Sequence, residues 1–287
     1  MARDMAGRRT VVVTGGAAGM GLAAALRFAG DGDDVVVGVR GEARVAPVRE
    51  AAGAAGVEVD VVVMDVGDDA SVSAAFEQVR TRHGDVDVMV ANAGVGSLGT
   101  LEELTMDDVR AAMEVNYFGV VRTTKAVLPS MRARGRGRLI AVSSVGGAFG
   151  QPFTDAYSAA KHAVEGLYES LQPVVARFGV HVSIVEPGPV ATEFHHKSTR
   201  VARPEGADGD PYEALWTQYE TVMAAGAARR QDIEEAAQVI VDVANADAPV
   251  LRYQTSKFTS RLVGIKLADL DGTGVTGFTS RWFDPPG

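Results

Sequence analysis

Short runs of β-branched residues recur along this chain, each followed by a longer stretch with helical spacing. The runs are Val11–Val13, Val35–Val39, Val57–Val63, Val86–Ala91, Arg138–Ser143 and Val180–Val185, with a late one near Val250–Tyr253. Their apolar content is nearly continuous, as parallel strands covered on both faces require. The stretches between them carry helix starts. Asp68-Asp69 precedes Val72, Ala75, Phe76 and Val79, while Thr105-x-x-Asp108 and Asp232-x-x-Glu235 have the spacing of capping boxes. The second opens a helix expected to run through Val243. Strands alternating with helices predict an α/β fold: one Rossmann-type, doubly wound parallel sheet of about seven strands. No repeat or linker divides the chain, so a single domain over residues 1–287 is expected.

Composition removes several alternatives. The 287 residues hold 28 basic and 37 acidic side chains, a net charge of −9, and no basic stripe of the kind that binds nucleic acid. With no cysteine, disulfides and thiolate chemistry are excluded, which fits a cytoplasmic protein. Arg8-Arg9 before the apolar run Thr10–Ala29 imitates a secretion signal, but Gly15, Gly16, Gly19, Gly21 and Arg27 interrupt it. A strand, glycine turn and helix explain it better. No other segment has the roughly 20 apolar residues of a membrane span. His195-His196 lack accompanying carboxylates, and adjacent side chains diverge, so no metal site is expected.

One polar segment breaks the alternation, from Phe194 to Asp210. It restarts at Asp210-Pro211, an N-cap followed by proline at the first helical position. The next helix places Tyr212, Leu215, Trp216 and Tyr219 on one face. A lid over about 194–230 is expected.

The first strand ends in Thr14-Gly15-Gly16-Ala17-Ala18-Gly19-Met20-Gly21. Glycine permits the sharp turn, lets backbone N–H groups approach a pyrophosphate and lets helix pack on strand, while the helix N-terminus offers partial positive charge. Tyr157 and Lys161 stand four apart, on one helix face. A tyrosine titrates near 10, too high for a base at neutrality, and a nearby ammonium lowers it. Lys161 is therefore expected to bring Tyr157 closer to working pH.

Gly-x-x-x-Gly-x-Gly after threonine resembles the short-chain dehydrogenase/reductase family, and further motifs agree. They are Asn92-Ala93-Gly94, Asp65-Val66 after the third strand, Asn116, Ser144 thirteen residues before Tyr157, and Pro187-Gly188 with Val190 and Thr192. The resemblance implies a catalytic tetrad of Asn116, Ser144, Tyr157 and Lys161. Tyr157 would exchange a proton with the substrate oxygen and Ser144 would hydrogen-bond that oxygen. Lys161 would also grip the nicotinamide ribose. Asn116 would hold a relay water, unless it merely satisfies a bulge in its helix. It further implies a dinucleotide held by Thr14, Gly15, Ala17, Gly19, Met20, Gly21, Asp65, Val66, Asn92, Ala93, Gly94, Tyr157, Lys161, Pro187, Gly188, Val190 and Thr192.

At the end of the second strand, NAD enzymes place an acidic residue against the ribose hydroxyls. Here Val39 is followed by Arg40, which suits a 2′-phosphate, so NADP is expected over NAD despite Glu42 nearby. The stretches Val145–Gly147, Glu165–Leu171 and Phe178–His181, with a C-terminal extension over about 254–287, resemble the branch of 17β-hydroxysteroid dehydrogenase type 1 and the retinol dehydrogenases. That likeness implies a bulky, mostly apolar ketone or secondary alcohol lined by Gly94, Phe153, Tyr212, Leu215 and Trp216. Leu215 and Arg281 stand where the branch anchors the far end of a steroid, and neither keeps that chemistry. A homodimer or homotetramer is implied as well, through the helices after Asn116 and around Tyr157. Pro173 is expected to disturb the latter helix.

Overall fold

The computed structural model describes residues 8–192, 209–226 and 230–283. Seven strands form one parallel sheet: β1 Thr10–Thr14, β2 Asp34–Val39, β3 Asp60–Val63, β4 Val88–Ala91, β5 Gly137–Val142, β6 Val180–Glu186 and β7 Arg252–Gln254. Their order is β3-β2-β1-β4-β5-β6-β7, so the direction of winding reverses between β1 and β4. Strands are shorter than expected at the third and seventh positions, where Val57–Val59 and Val250–Leu251 remain outside the ladder.

Alternation within the valine runs sends successive side chains to opposite faces. Val12, Val36, Val62, Met89, Leu139 and Ile184 pack on one side. There they meet α3 (Asp69–His83), α5 (Gly119–Arg134) and α7 (Asp155–Val175). Val11, Val13, Val35, Val37, Val90, Ile140 and Val185 pack on the other. The covering helices there are α1 (Gly19–Gly30), α2 (Val45–Ala54) and α9 (Ile233–Asn245). Each fully covered Val or Leu contributes about 1.5–3 kcal/mol, which is why the sheet's centre is the most constrained part of the fold.

The remaining helices are α4 (Met106–Met113), the short α6 (Val145–Ala148), α8 (Glu213–Gly226), α10 (Lys257–Ala268) and α11 (Thr273–Ser280). Thr105 and Asp108 form a complete capping box. Asp232 caps α9 through the N–H groups of Glu234 and Glu235, but Glu235 does not return the bond, so this start is a simple cap. Pro173 lies in the last turn of α7, which ends at Val175 and gives way to a 3₁₀ turn over Ala176–Phe178. With no N–H to give the Glu169 carbonyl, it weakens the end of the helix, which stops within one turn.

No described helix is long and apolar enough to cross a membrane.

Candidate active site

Parallel strands deliver their C-terminal ends to one edge of the sheet, and nearly every residue singled out for chemistry stands there. The reversal between β1 and β4 opens a crevice at that edge, the usual ligand position in such sheets. Thr14 ends β1 and fixes the crevice walls. Its Oγ1 accepts from the N–H groups of Asn92 (3.0 Å) and Ala93 (3.1 Å), and the Asn92 side chain donates to the carbonyls of Thr14 (3.0 Å) and Gly15 (3.2 Å). Thr14 and Asn92 thus stitch the two loops together, and their polar atoms are spent on backbone.

Gly15 and Gly19 adopt positive φ, +65° and +56°, which L side chains rarely tolerate. A Cβ on Gly21 would lie 2.3 Å from Asn92 Nδ2. The first turn of α1 has no side-chain cap, because Ala18 occupies the N-cap, so its N–H groups face the crevice unpaired by any side chain. That donor set fits a pyrophosphate. Gly19 faces the Thr192 methyl, which a Cβ would approach to 3.2 Å, so the loop after β6 closes over the turn. Pro187 accepts from the Val145 N–H at 2.7 Å, and Val190 bridges to Gln231. A Cβ on Gly188 would strike Thr259 Oγ1, 2.5 Å away.

At the adenosine end, Arg40 is exposed directly after the buried Val39. Asp65 follows β3, its Oδ1 accepting from the Gly67 N–H at 3.0 Å, and Val66 is buried against Gly119. Ala17 and Met20 pack onto the core beneath the turn.

The catalytic candidates converge on the other side of β4. Ser144 caps α6, its Oγ accepting from the Gly146 N–H at 3.0 Å, and it also hydrogen-bonds the Tyr157 hydroxyl. Lys161 is buried, with its Nζ 5.8 Å from the Tyr157 ring centre, and donates to the Val142 carbonyl at 2.9 Å. The expected tuning is corrected here. Protein packed around the phenol pushes Tyr157 up to about 12, and the bond from Ser144 pulls the other way. Lys161 adds no lowering, because its ammonium is turned to the Val142 carbonyl. Burial instead pulls Lys161 itself down to about 8, opposed by the Glu165 carboxylate.

Asn116 is fully buried inside a π-helical turn, Glu114–Phe118, between α4 and α5. Such bulges recur at functional sites. Its Oδ1 accepts from the Val95 N–H (3.1 Å) and its Nδ2 donates to the carbonyls of Val95 and Ala112 (both 2.9 Å). The side chain therefore satisfies the bulge, one of the two roles expected of it, and pins the Gly94–Val95 loop. Gly94 keeps that junction open: a Cβ there would stand 2.8 Å from Asn116 Oδ1 and 3.6 Å from Lys161 Nζ.

Two of the residues expected to line the substrate belong to an aromatic cluster. Phe153, four residues before Tyr157, is the non-glycine residue with positive φ (61°) among those described, and it is buried. Its ring meets Trp216 at 4.9 Å, Tyr219 at 5.2 Å and Phe283 at 6.0 Å, and Tyr219 continues to Trp282 at 6.2 Å. Phe153 and Trp216 therefore meet as expected. Leu215 does not join them, being exposed, and Tyr212 turns away to donate to Glu102 Oε2 at 2.6 Å. Trp282 and Phe283 were missed; their aromatic character after a late helix was the available signal. Arg281 instead lines a separate cavity of about 300 Å³ with Arg261, Ile265 and Phe278. His195 and His196, like most of the expected lid, lie outside the described residues, and among the described ones no cluster could hold a metal.

A parallel sheet with this winding order, an uncapped glycine turn at the reversal and a Ser–Tyr–Lys group beside it define a Rossmann-type oxidoreductase. The model of the short chain dehydrogenase family matches residues 9–202. Human 17-beta-hydroxysteroid dehydrogenase type 1 is 37% identical, with 93% of this chain and 83% of that protein aligned. Human retinol dehydrogenase 8 is also 37% identical, over 95% of this chain and 89% of its own. Among solved structures, a short-chain dehydrogenase/reductase from Burkholderia phymatum in complex with NAD aligns over 98% of both chains, with a TM-score of 0.78 and 25% identity. A gluconate 5-dehydrogenase from Burkholderia cenocepacia in complex with NADP and tartrate covers 89% of this chain and 96% of its own, with a TM-score of 0.72 and 28% identity. The chain belongs to the short-chain dehydrogenase/reductase family of oxidoreductases.

Proposed function

We propose that this protein is an NADP-dependent reductase of a bulky, mostly apolar ketone, or the dehydrogenase of the matching secondary alcohol. The carrying observation is the aromatic wall of Phe153, Trp216, Tyr219 and Phe283, which starts four residues from Tyr157 on the chain that delivers it. Apolar walls with few converging polar groups suit a steroid-, terpenoid- or polyketide-like ligand. The two curated relatives named above are steroid and retinol dehydrogenases by name, which is the same chemistry of large apolar alcohols.

When bound, the nicotinamide supplies or accepts the hydride. Tyr157, protonated across the neutral range because burial raises it, donates its proton to the ketone oxygen in reduction. Ser144, already bonded to that hydroxyl, donates to the developing oxyanion. Lys161 binds the ribose hydroxyls. Gly15, Gly19, Gly21 and the first turn of α1 hold the pyrophosphate, and Arg40 pairs with the 2′-phosphate. A homodimer or homotetramer through α5 and α7 is supported by the exposed Phe118, Val174 and Phe178 near those helices.

The test is NADPH oxidation with a panel of hydrophobic ketones. Tyr157→Phe should lower turnover by about 10²–10⁴-fold and leave NADPH affinity intact, whereas Lys161→Ala should damage both. Equal turnover in wild type and Tyr157→Phe would sink the mechanism. Tight NADPH binding with no turnover in either would favour a nucleotide-sensing protein of the same fold.

A further inference from the structure

Behind the catalytic face of α7 lies a polar cluster that the chemistry above does not use. Tyr157, Lys161, Glu165 and Glu169 stand four apart and form one stripe along the helix, running from the crevice to the surface. Glu165 is 6% exposed and Glu186, at the end of β6, 0%. Both carboxylates flank one guanidinium: Arg252 Nε lies 3.1 Å from Glu165 Oε2 and 3.7 Å from Glu186 Oε1, while the far end of Arg252 reaches Glu169. The Gln254 amide donates to Glu186 Oε2. The remaining oxygens, Glu165 Oε1 and Glu186 Oε1, are buried and reach no partner at full hydrogen-bond geometry, although the Ser143 hydroxyl stands beside the Glu165 carboxyl and Arg252 Nε lies 3.7 Å from Glu186 Oε1. Two such oxygens in a dry interior are costly while both groups are ionised, and one proton between them satisfies both.

Charge leads to the same answer. Glu165, Glu169 and Glu186 carry three negative charges, and Lys161 and Arg252 two positive; one added proton brings this group to neutrality. The other polar or titratable groups around Glu165 are Ser143 on β5, beside its carboxyl, and His162 on α7. The cluster also touches the catalytic shelf. A Cβ on Gly147, in α6, would lie 2.3 Å from Ser143 Oγ and 3.1 Å from Glu165 Oε1.

We propose that Glu165 and Glu186 share one proton, and that Glu165, so braced, is the positioning residue that keeps Lys161 seated and cationic. The second half rests on the role assigned to Lys161 above. Burial pushes both carboxyls up, Glu186 to about 7 with the neighbouring Glu165 adding to the rise. Lys161 is pulled down by burial and held up by Glu165, its i+4 neighbour. Removing that carboxylate leaves the buried ammonium with the Val142 carbonyl and the face of the Tyr157 ring but no anion beside it on α7.

Two readouts, neither needing turnover, test the pair in the full-length protein. A carboxyl whose folded pKa is raised stabilises the fold below its ordinary pKa, and that stability is lost as pH rises through the folded value. The wild-type Tm should therefore fall between about pH 5 and about pH 8 by about 3–6 °C from this pair, and Glu186→Gln should remove that fall. An unchanged slope in Glu186→Gln overturns the shared proton. In NADPH titrations across pH 7–10, Glu165→Gln should move the alkaline loss of affinity down by about half a pH unit or more. Glu165→Asp should restore part of it, and Glu186→Gln should leave it near wild type. An unmoved limb in Glu165→Gln overturns the positioning role. If neither NADPH nor NADH binds, the functional reading fails, while the melting comparison still decides the pair.

Discussion

The two halves of the crevice are built on different principles. The cofactor side is backbone: positive-φ glycines, an uncapped helix end and loops stitched by Thr14 and Asn92, all on strands paired to both neighbours. The proposed substrate side is side chain: a ring cluster drawn from the α6–α7 loop, from α8 and from the 3₁₀ turn at Arg281–Phe283, with the Tyr212 hydroxyl bonded to Glu102 in the loop before α4. A site made of backbone admits little change, because a single methyl group collides. One made of rings can be re-cut without disturbing the fold. Cofactor binding should therefore be brittle to mutation, and substrate choice should be pliable.

Substitutions can break or sharpen that contrast, beginning with the largest expected effect. Gly21→Ala forces a Cβ to 2.3 Å from Asn92 Nδ2 and 2.8 Å from the Gly15 carbonyl. It should weaken NADPH binding about 100-fold or more and destabilise the fold by about 1–3 kcal/mol, read by fluorescence titration and thermal melting. Near-normal binding would mean that the turn can yield. Arg40→Asp should follow, shifting the ratio of NADPH to NADH affinities by about 10–100-fold towards NADH, since it exchanges a charge-assisted bond for repulsion. A ratio that stays put would move the selector elsewhere. Trp216→Ala should raise KM for large ketones about tenfold, with kcat and NADPH affinity nearly constant. Small ketones, which do not reach the rings, should be indifferent. Glu102→Ala removes the acceptor of the Tyr212 hydroxyl at the exposed edge of α8, and a change in KM under about threefold is expected.

The same contrast explains how much could be read in advance. The strands and their burial on both faces were legible, because the valine runs at Val11–Val13 and Val35–Val39 admit one sheet geometry. The glycine turn was legible because turns of that kind depend on local φ alone. Ser144, Tyr157 and Lys161 were recognisable as a group, yet the direction of Tyr157's shift was not. That depends on how much protein surrounds the hydroxyl and where Lys161 points, and neither is local. Asn116 was identified, but the π-helical turn that occupies its amide was not. The aromatic wall was half visible: Phe153 and Trp216 were found, whereas Trp282 and Phe283 meet it only through tertiary packing. Leu215 is exposed and apart from the ring cluster, a difference that the apolar pattern, which several rotations of α8 satisfy, did not reveal.

The contact between Phe153 and Phe283 has a consequence for biosynthesis. A polypeptide leaving the ribosome can complete β1 to β6, and with them the nucleotide cradle and Tyr157, well before Trp282 and Phe283 emerge. An interrupted chain would thus carry Phe153, Trp216 and Tyr219 without the two rings that complete their cluster. The ring cluster is therefore completed only after the whole glycine turn and the Ser144–Tyr157–Lys161 group have been translated.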